Sequence, residues 1–75
     1  MEQKLKELMA ELFKMKTEKI TDSLTMKDTD VWDSLKHMEL VVSIEQTLGI
    51  ELTFDEIVAM QTFKDIKRVL REKGV

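Results

Sequence analysis

The chain has 75 residues, no cysteine and no proline. That size and composition fit one domain with no disulfide framework, no thiolate metal site and little room for an enclosed active site. Charged residues make up 36% and hydrophobic residues 43%, too apolar for a disordered chain, yet no apolar run is long enough to span a bilayer.

The net charge of -3 is unevenly spread. Residues 1–19 hold five Lys against four Glu, residues 20–60 hold nine acidic side chains against Lys27 and Lys36, and residues 61–75 hold five basic against two acidic ones. An acidic middle excludes nucleic acid as the natural partner, because phosphates need a basic face. It suits a basic protein surface to which charge would steer it, although a solvated acidic face has the same signature. With no apolar leader or anchor, the expectation is one soluble, cytoplasmic domain over residues 1–75 that does not insert into membranes.

Four segments carry helical periodicity. Leu5, Leu8, Met9, Leu12 and Phe13 recur at the spacing of one buried stripe and predict a first helix over roughly residues 2–16. Residues 17–33 are rich in Thr and Asp without regular apolar spacing. They read as a long loop that Ile20, Leu24, Met26 and Val31 would pin to the core, and a loop of this length in so small a domain is usually functional. A second helix is predicted from Ser34 to Leu48, stopped by Gly49. Thr53-Phe54-Asp55-Glu56 forms a capping box that opens a short helix near residues 54–60. Thr62 caps a last helix with Phe63, Ile66, Val69 and Leu70 on its apolar face, cations toward its C-terminal end and Gly74 as its stop. The fold class is therefore all-α: a small four-helix bundle with a long first loop and a short third helix.

The second helix has two apolar faces. Leu40, Val41, Ile44 and Leu48 share one arc, and Leu35, Met38 and Val42 share another, about 130° away at 3.6 residues per turn. One stripe is enough for the core. The other starts beside Ser34 and runs along Lys36, Glu39 and Glu45. It has an apolar centre and a charged rim, as a docking strip would, unless the first helix or the loop covers it.

Ser34 admits four readings. It can be a helix cap, a role open to Asp33 as well. It can be a hydrolase nucleophile with Asp33 and His37, but one turn of helix cannot supply both an oriented base and an oxyanion hole, and no G-x-S-x-G elbow is present. His37 then reads as an ordinary exposed or partner-facing residue. It can flank a calcium loop, since Asp28, Asp30 and Glu39 match the first, third and twelfth positions. That match fails at Asp33, where the sharp turn requires glycine, so no dedicated metal site is expected. Fourth, it can be a site of covalent modification.

Asp33-Ser34-Leu35, followed by His37-Met38-Glu39-Leu40-Val41-Val42, resembles the acyl carrier protein family. The resemblance extends over nearly the whole chain, from the order of helices to the long first loop and the acidic approach to the serine. It implies a carrier rather than an enzyme, with no catalytic residue of its own. It implies that Ser34 bears a covalent 4′-phosphopantetheine arm from coenzyme A, with Asp33 and Leu35 completing the motif that a phosphopantetheinyl transferase reads. Lys36, Met38, Glu39, Val42 and Glu45 would face partner enzymes, and Ile44, Leu48, Ile57 and Met60 could part to admit an acyl chain. The family's thioester chemistry would explain how a chain without cysteine handles reactive acyl groups, and a mobile carrier is expected to be a monomer.

Three positions depart from the carriers of general fatty acid synthesis: Trp32 stands where glycine is frequent, Lys36 where an acidic residue is common, and Thr53 where proline is common. The stretch Trp32-Asp33-Ser34-Leu35-Lys36-His37-Met38 is closer to specialised, free-standing carriers that serve a dedicated ligase or transferase. The cargo could thus be a fatty, polyketide or other acyl group. An aminoacyl or peptidyl group supplied by an adenylating ligase is a rival within the same class. An unmodified helical interaction module is the rival from a different class.

Overall fold

The computed structural model describes residues 2–75, apart from the side chain of Asp28. Four α-helices follow in chain order: α1 (Glu2–Phe13), α2 (Ser34–Leu48), α3 (Phe54–Ala59) and α4 (Phe63–Glu72). Single 3-10 turns at Thr17–Lys19 and Met26–Asp28 punctuate the long loop between α1 and α2. The described residues contain no strand, only an isolated antiparallel bridge between Thr25 and Thr62.

Where each helix stops follows from its last turn. In α1 the backbone turns left-handed at Lys14 (φ 57°), and Met15 N–H donates to the Ala10 carbonyl at 2.9 Å. This is the six-to-one bond of a Schellman motif, which satisfies a carbonyl the helix would otherwise orphan. It ends α1 about a turn before the expected residue 16, because apolar periodicity carries no record of a left-handed residue that is not glycine. Gly49 (φ 65°) ends α2 in the same way, with Ile50 N–H donating to Glu45 O at 3.2 Å, and Val75 N–H to Leu70 O closes α4.

The core is one cluster to which every helix and the loop contribute. Met9, Ile20, Trp32, Leu40, Ile44, Met60, Phe63 and Ile66 are almost fully enclosed. Trp32 packs its indole on Phe13, ring centroids 5.4 Å apart. Of the four residues expected to pin the loop, Ile20 is buried and Leu24 and Met26 are half-buried, but Val31 is exposed. Trp32 takes the inward place instead. It removes more apolar surface from water than valine would, and its N–H finds a buried partner. The middle of the loop is held by backbone bonds, Met26 N–H to Gln61 O and Phe63 N–H to Leu24 O, both 3.0 Å. That is why a polar segment lies flat across the start of α4.

Candidate functional site

The loop delivers Asp33 and Ser34 to the start of α2. Asp33 is the cap: its backbone is extended, and its Oδ1 accepts from Lys36 N–H at 2.8 Å. Ser34 is the first helical residue, and it is exposed. Its hydroxyl is not needed to close the helix end. The amides of Ser34 and Leu35 have no carbonyl one turn back to meet, as at any α-helix start. They and the helix dipole favour a phosphate placed there. An exposed hydroxyl on the opening turn of a helix, capped by its neighbour, fits a phosphodiester attachment point without rearrangement.

Beyond Ser34, the second apolar stripe of α2 is uncovered. Leu35 is 70% exposed, Met38 48% and Val42 47%. They line one side of a shallow groove whose far edge is Leu12 of α1. Lys36 and Glu39 pair on the same helix, Nζ to Oε1 3.6 Å. Glu45 has a local partner, because its Oε2 accepts from Leu52 N–H at 2.9 Å and folds the link after Gly49 back on the helix. Sequence reasoning missed a second uncovered patch on α3, where Phe54 is 77% exposed and Val58 49%. The signal was present: Phe54 follows the cap Thr53 and Val58 lies four residues on, one turn further along the same side of the helix.

His37 corrects an expectation. It is buried, with 7% of its surface exposed, where an exposed or partner-facing residue was expected. Trp32 Nε1–H donates to its Nδ1 at 3.0 Å. An indole nitrogen can only donate, so His37 holds its proton on Nε2, which donates to the Ile57 carbonyl at 2.9 Å. Both ring nitrogens are thereby occupied, and neither is available as a base for Ser34.

The expected acyl-pocket residues all belong to the interior. Ile44 and Met60 are fully buried, and Leu48 and Ile57 are half-buried against them. Ile44 and Leu48 also line a crevice against Leu5 and Leu8 of α1, with a free volume near 10 Å³, about what one water needs. Among the described residues no group of three or more His, Asp or Glu side chains converges as a metal site would require. The side chain of Asp28, the first position of the calcium-loop reading, lies outside the described residues. Among the described residues no helix is long and apolar enough to cross a membrane.

The order of helices, with a long first loop and a short third helix, is that of a carrier-type bundle. The family model described as "Phosphopantetheine attachment site" matches residues 3–70. The chain is 37% identical over 73 residues to the acyl carrier protein of Rickettsia massiliae (strain Mtu5) and, equally, to that of Rickettsia africae (strain ESF-5), covering 96% of this chain and 84% of each relative. The chain belongs to the acyl carrier protein family, whose members bear a covalent 4′-phosphopantetheine. Members of this family are carriers rather than catalysts, and phosphopantetheinyl transferases and acyl-processing enzymes act on them.

Proposed function

We propose that Ser34 carries the arm and that the chain presents its cargo to partner enzymes across the exposed faces of α2 and α3. The observation that carries this reading is the division of labour at the helix start: Asp33 closes the helix, and the hydroxyl of Ser34 is left exposed. A separate transferase activates the hydroxyl and supplies the arm from coenzyme A, so the absence of a base at Ser34 is no obstacle. When attached, the arm supplies a terminal thiol that holds acyl groups as thioesters. Asp33 and Leu35 flank the hydroxyl and form the motif presented to the transferase.

Leu35, Met38 and Val42 are the apolar contacts, with Lys36 and Glu39 at their edge and Glu45 fixing the far end of α2. Phe54 and Val58 extend the same kind of surface onto α3. Apolar side chains presented on preformed helices make good transient anchors, because no backbone has to be ordered on docking. The partners are an acyl- or aminoacyl-activating ligase and the enzymes that process its product. The protein works as a monomer in the cytoplasm.

Incubation with coenzyme A and a broad-specificity phosphopantetheinyl transferase should add one arm's mass to the intact chain, placed on Ser34 by fragmentation. Ser34→Ala should take none. Absence of an adduct with several transferases would leave an unmodified interaction module as the reading. Met38→Glu should weaken binding to the processing enzyme with the melting temperature unchanged; unfolding instead would mean that the stripe is core.

A further inference from the structure

Ser34, Met38 and Val42 follow one another at intervals of four residues along α2. Side chains at that spacing lie one above the other on the same side of a helix. Whatever hangs from the Ser34 hydroxyl therefore starts in line with the uncovered apolar stripe. The groove beside that stripe is lined by Leu35, Met38 and Val42 of α2 and by Leu12 of α1, with Glu39 and Ser43 as its polar edge. It is open to solvent, and its free volume is near 410 Å³.

The interior, by contrast, is already filled. Trp32, Leu40, Ile44 and Met60 are each at most 1% exposed, and the crevice at Leu5, Leu8, Ile44 and Leu48 holds near 10 Å³. A chain of methylenes enters such an interior only by parting close-packed side chains. The groove asks for no rearrangement. Its apolar walls already face water, and an aliphatic chain laid along them removes apolar surface of both from solvent. A tether adds to this. Cargo joined to the protein by a short flexible arm meets the groove at an effective concentration on the order of millimolar, so a surface too shallow to hold a free ligand can hold a tethered one.

We propose that the groove between α1 and α2 is an external cargo site. The aliphatic chain of a long acyl thioester on the Ser34 arm folds back and lies along Met38, Val42 and Leu12, outside the bundle. Short or polar cargo stays in solvent, because it has too little apolar surface to cover those walls. Met38 and Val42 thus bind cargo as well as partner enzymes, and a docked enzyme takes the place of the chain. The proposal rests on Ser34 being the attachment site.

The methionines supply the test. Met38 lies in the groove, whereas Met9 and Met60 are fully buried and report on the core. The full chain, with isotope-labelled methionine methyls, is compared by NMR as its Ser34-linked acetyl and dodecanoyl thioesters. In the dodecanoyl form the Met38 methyl should shift and show cross-peaks to the acyl methylenes, while the Met9 and Met60 methyls keep their acetyl-form positions. Val42→Glu places a carboxylate where the chain would desolvate it, and should weaken those cross-peaks about fivefold with helical CD unchanged. Leu12→Gln, from the opposite wall, should weaken them without altering the stripe on α2. Cross-peaks from the chain to Met60 or Met9, or to no methionine, would overturn the proposal, as would Met38 cross-peaks at full strength in both variants. Intact mass keeps this apart from the carrier reading. An arm on Ser34 without a Met38 cross-peak overturns the groove alone, and a chain that takes no arm at Ser34 overturns both.

Discussion

Substitutions at Asp33 and at Ser34 should separate stability from modification. Asp33 Oδ1 satisfies the Lys36 amide, so Asp33→Ala should cost about 0.5–2 kcal/mol in urea melts. Ser34→Ala leaves that bond in place and should change stability by less than about 0.5 kcal/mol, as surface substitutions do. Serine and aspartate are equally good caps, so the sequence alone left the cap open between them. Backbone geometry decides it, because only the residue with extended φ and ψ can reach forward to the third amide. Trp32 was legible as a departure from a family pattern but not as core. Its burial at 1% exposure predicts a loss of about 3–5 kcal/mol for Trp32→Ala, as for other large aromatic truncations. A melt shift no larger than that of a surface substitution would contradict it.

At the scale of the element, helix starts were more legible than helix ends. The capping box at Thr53–Glu56 forms as its four letters predict, with Thr53 N–H to Glu56 Oε1 at 2.8 Å and Glu56 N–H to Thr53 Oγ1 at 3.2 Å. The end of α1 was not legible, because its left-handed residue is Lys14 rather than glycine. A Cβ in that conformation carries strain that glycine lacks, so Lys14→Gly should raise stability by about 0.5–1 kcal/mol, net of glycine's larger unfolded-state entropy. A lower midpoint in the variant would show that the lysine side chain compensates. On α3, Phe54→Ser should leave the melting temperature unchanged, since the ring is 77% exposed. It should weaken binding to any partner that docks there, measurable by titration against the processing enzyme.

At the scale of the whole molecule, ion pairs join distant parts of the chain. Lys67 on α4 meets Asp22 of the loop at 2.6 Å and Glu2 of α1 at 3.4 Å, and its ammonium lies over the Phe63 ring. The hydrogen bond from Lys67 holds the Asp22 carboxyl below its ordinary value, and the bond to Asp22 raises Lys67. Glu56 is lowered first by the Thr53 backbone N–H and then by Lys73. Lowered carboxylates contribute stability that is present above their unfolded values, 3.8 for Asp22 and 4.5 for Glu56, and is lost as pH falls through the lower folded ones. The raised Lys67 contributes below 10.5 and loses its contribution only at higher pH. Thermal melts should therefore fall as the solution is acidified below about pH 4.5, and Glu56→Gln should flatten that decline. An unchanged acid limb in the variant would contradict the assignment. These groups lie at the surface, so added salt should shrink the effect.

What the sequence by itself determined was what local physics controls. Apolar spacing set the four helices, cap chemistry set where α3 and α4 begin, and the letters around Ser34 pointed to the class of carrier. The two faces of α2 were also legible, since both follow from 3.6 residues per turn. The tertiary structure alone decided which face is covered, and that Val31 turns outward while Trp32 turns in. It also decided that His37 is buried between the loop and α3. Those outcomes depend on partners far along the chain, such as the Ile57 carbonyl for His37 and the Phe13 ring for Trp32. A polar side chain is buried only where such a partner satisfies it, and no spacing within one helix records that the partner will be there.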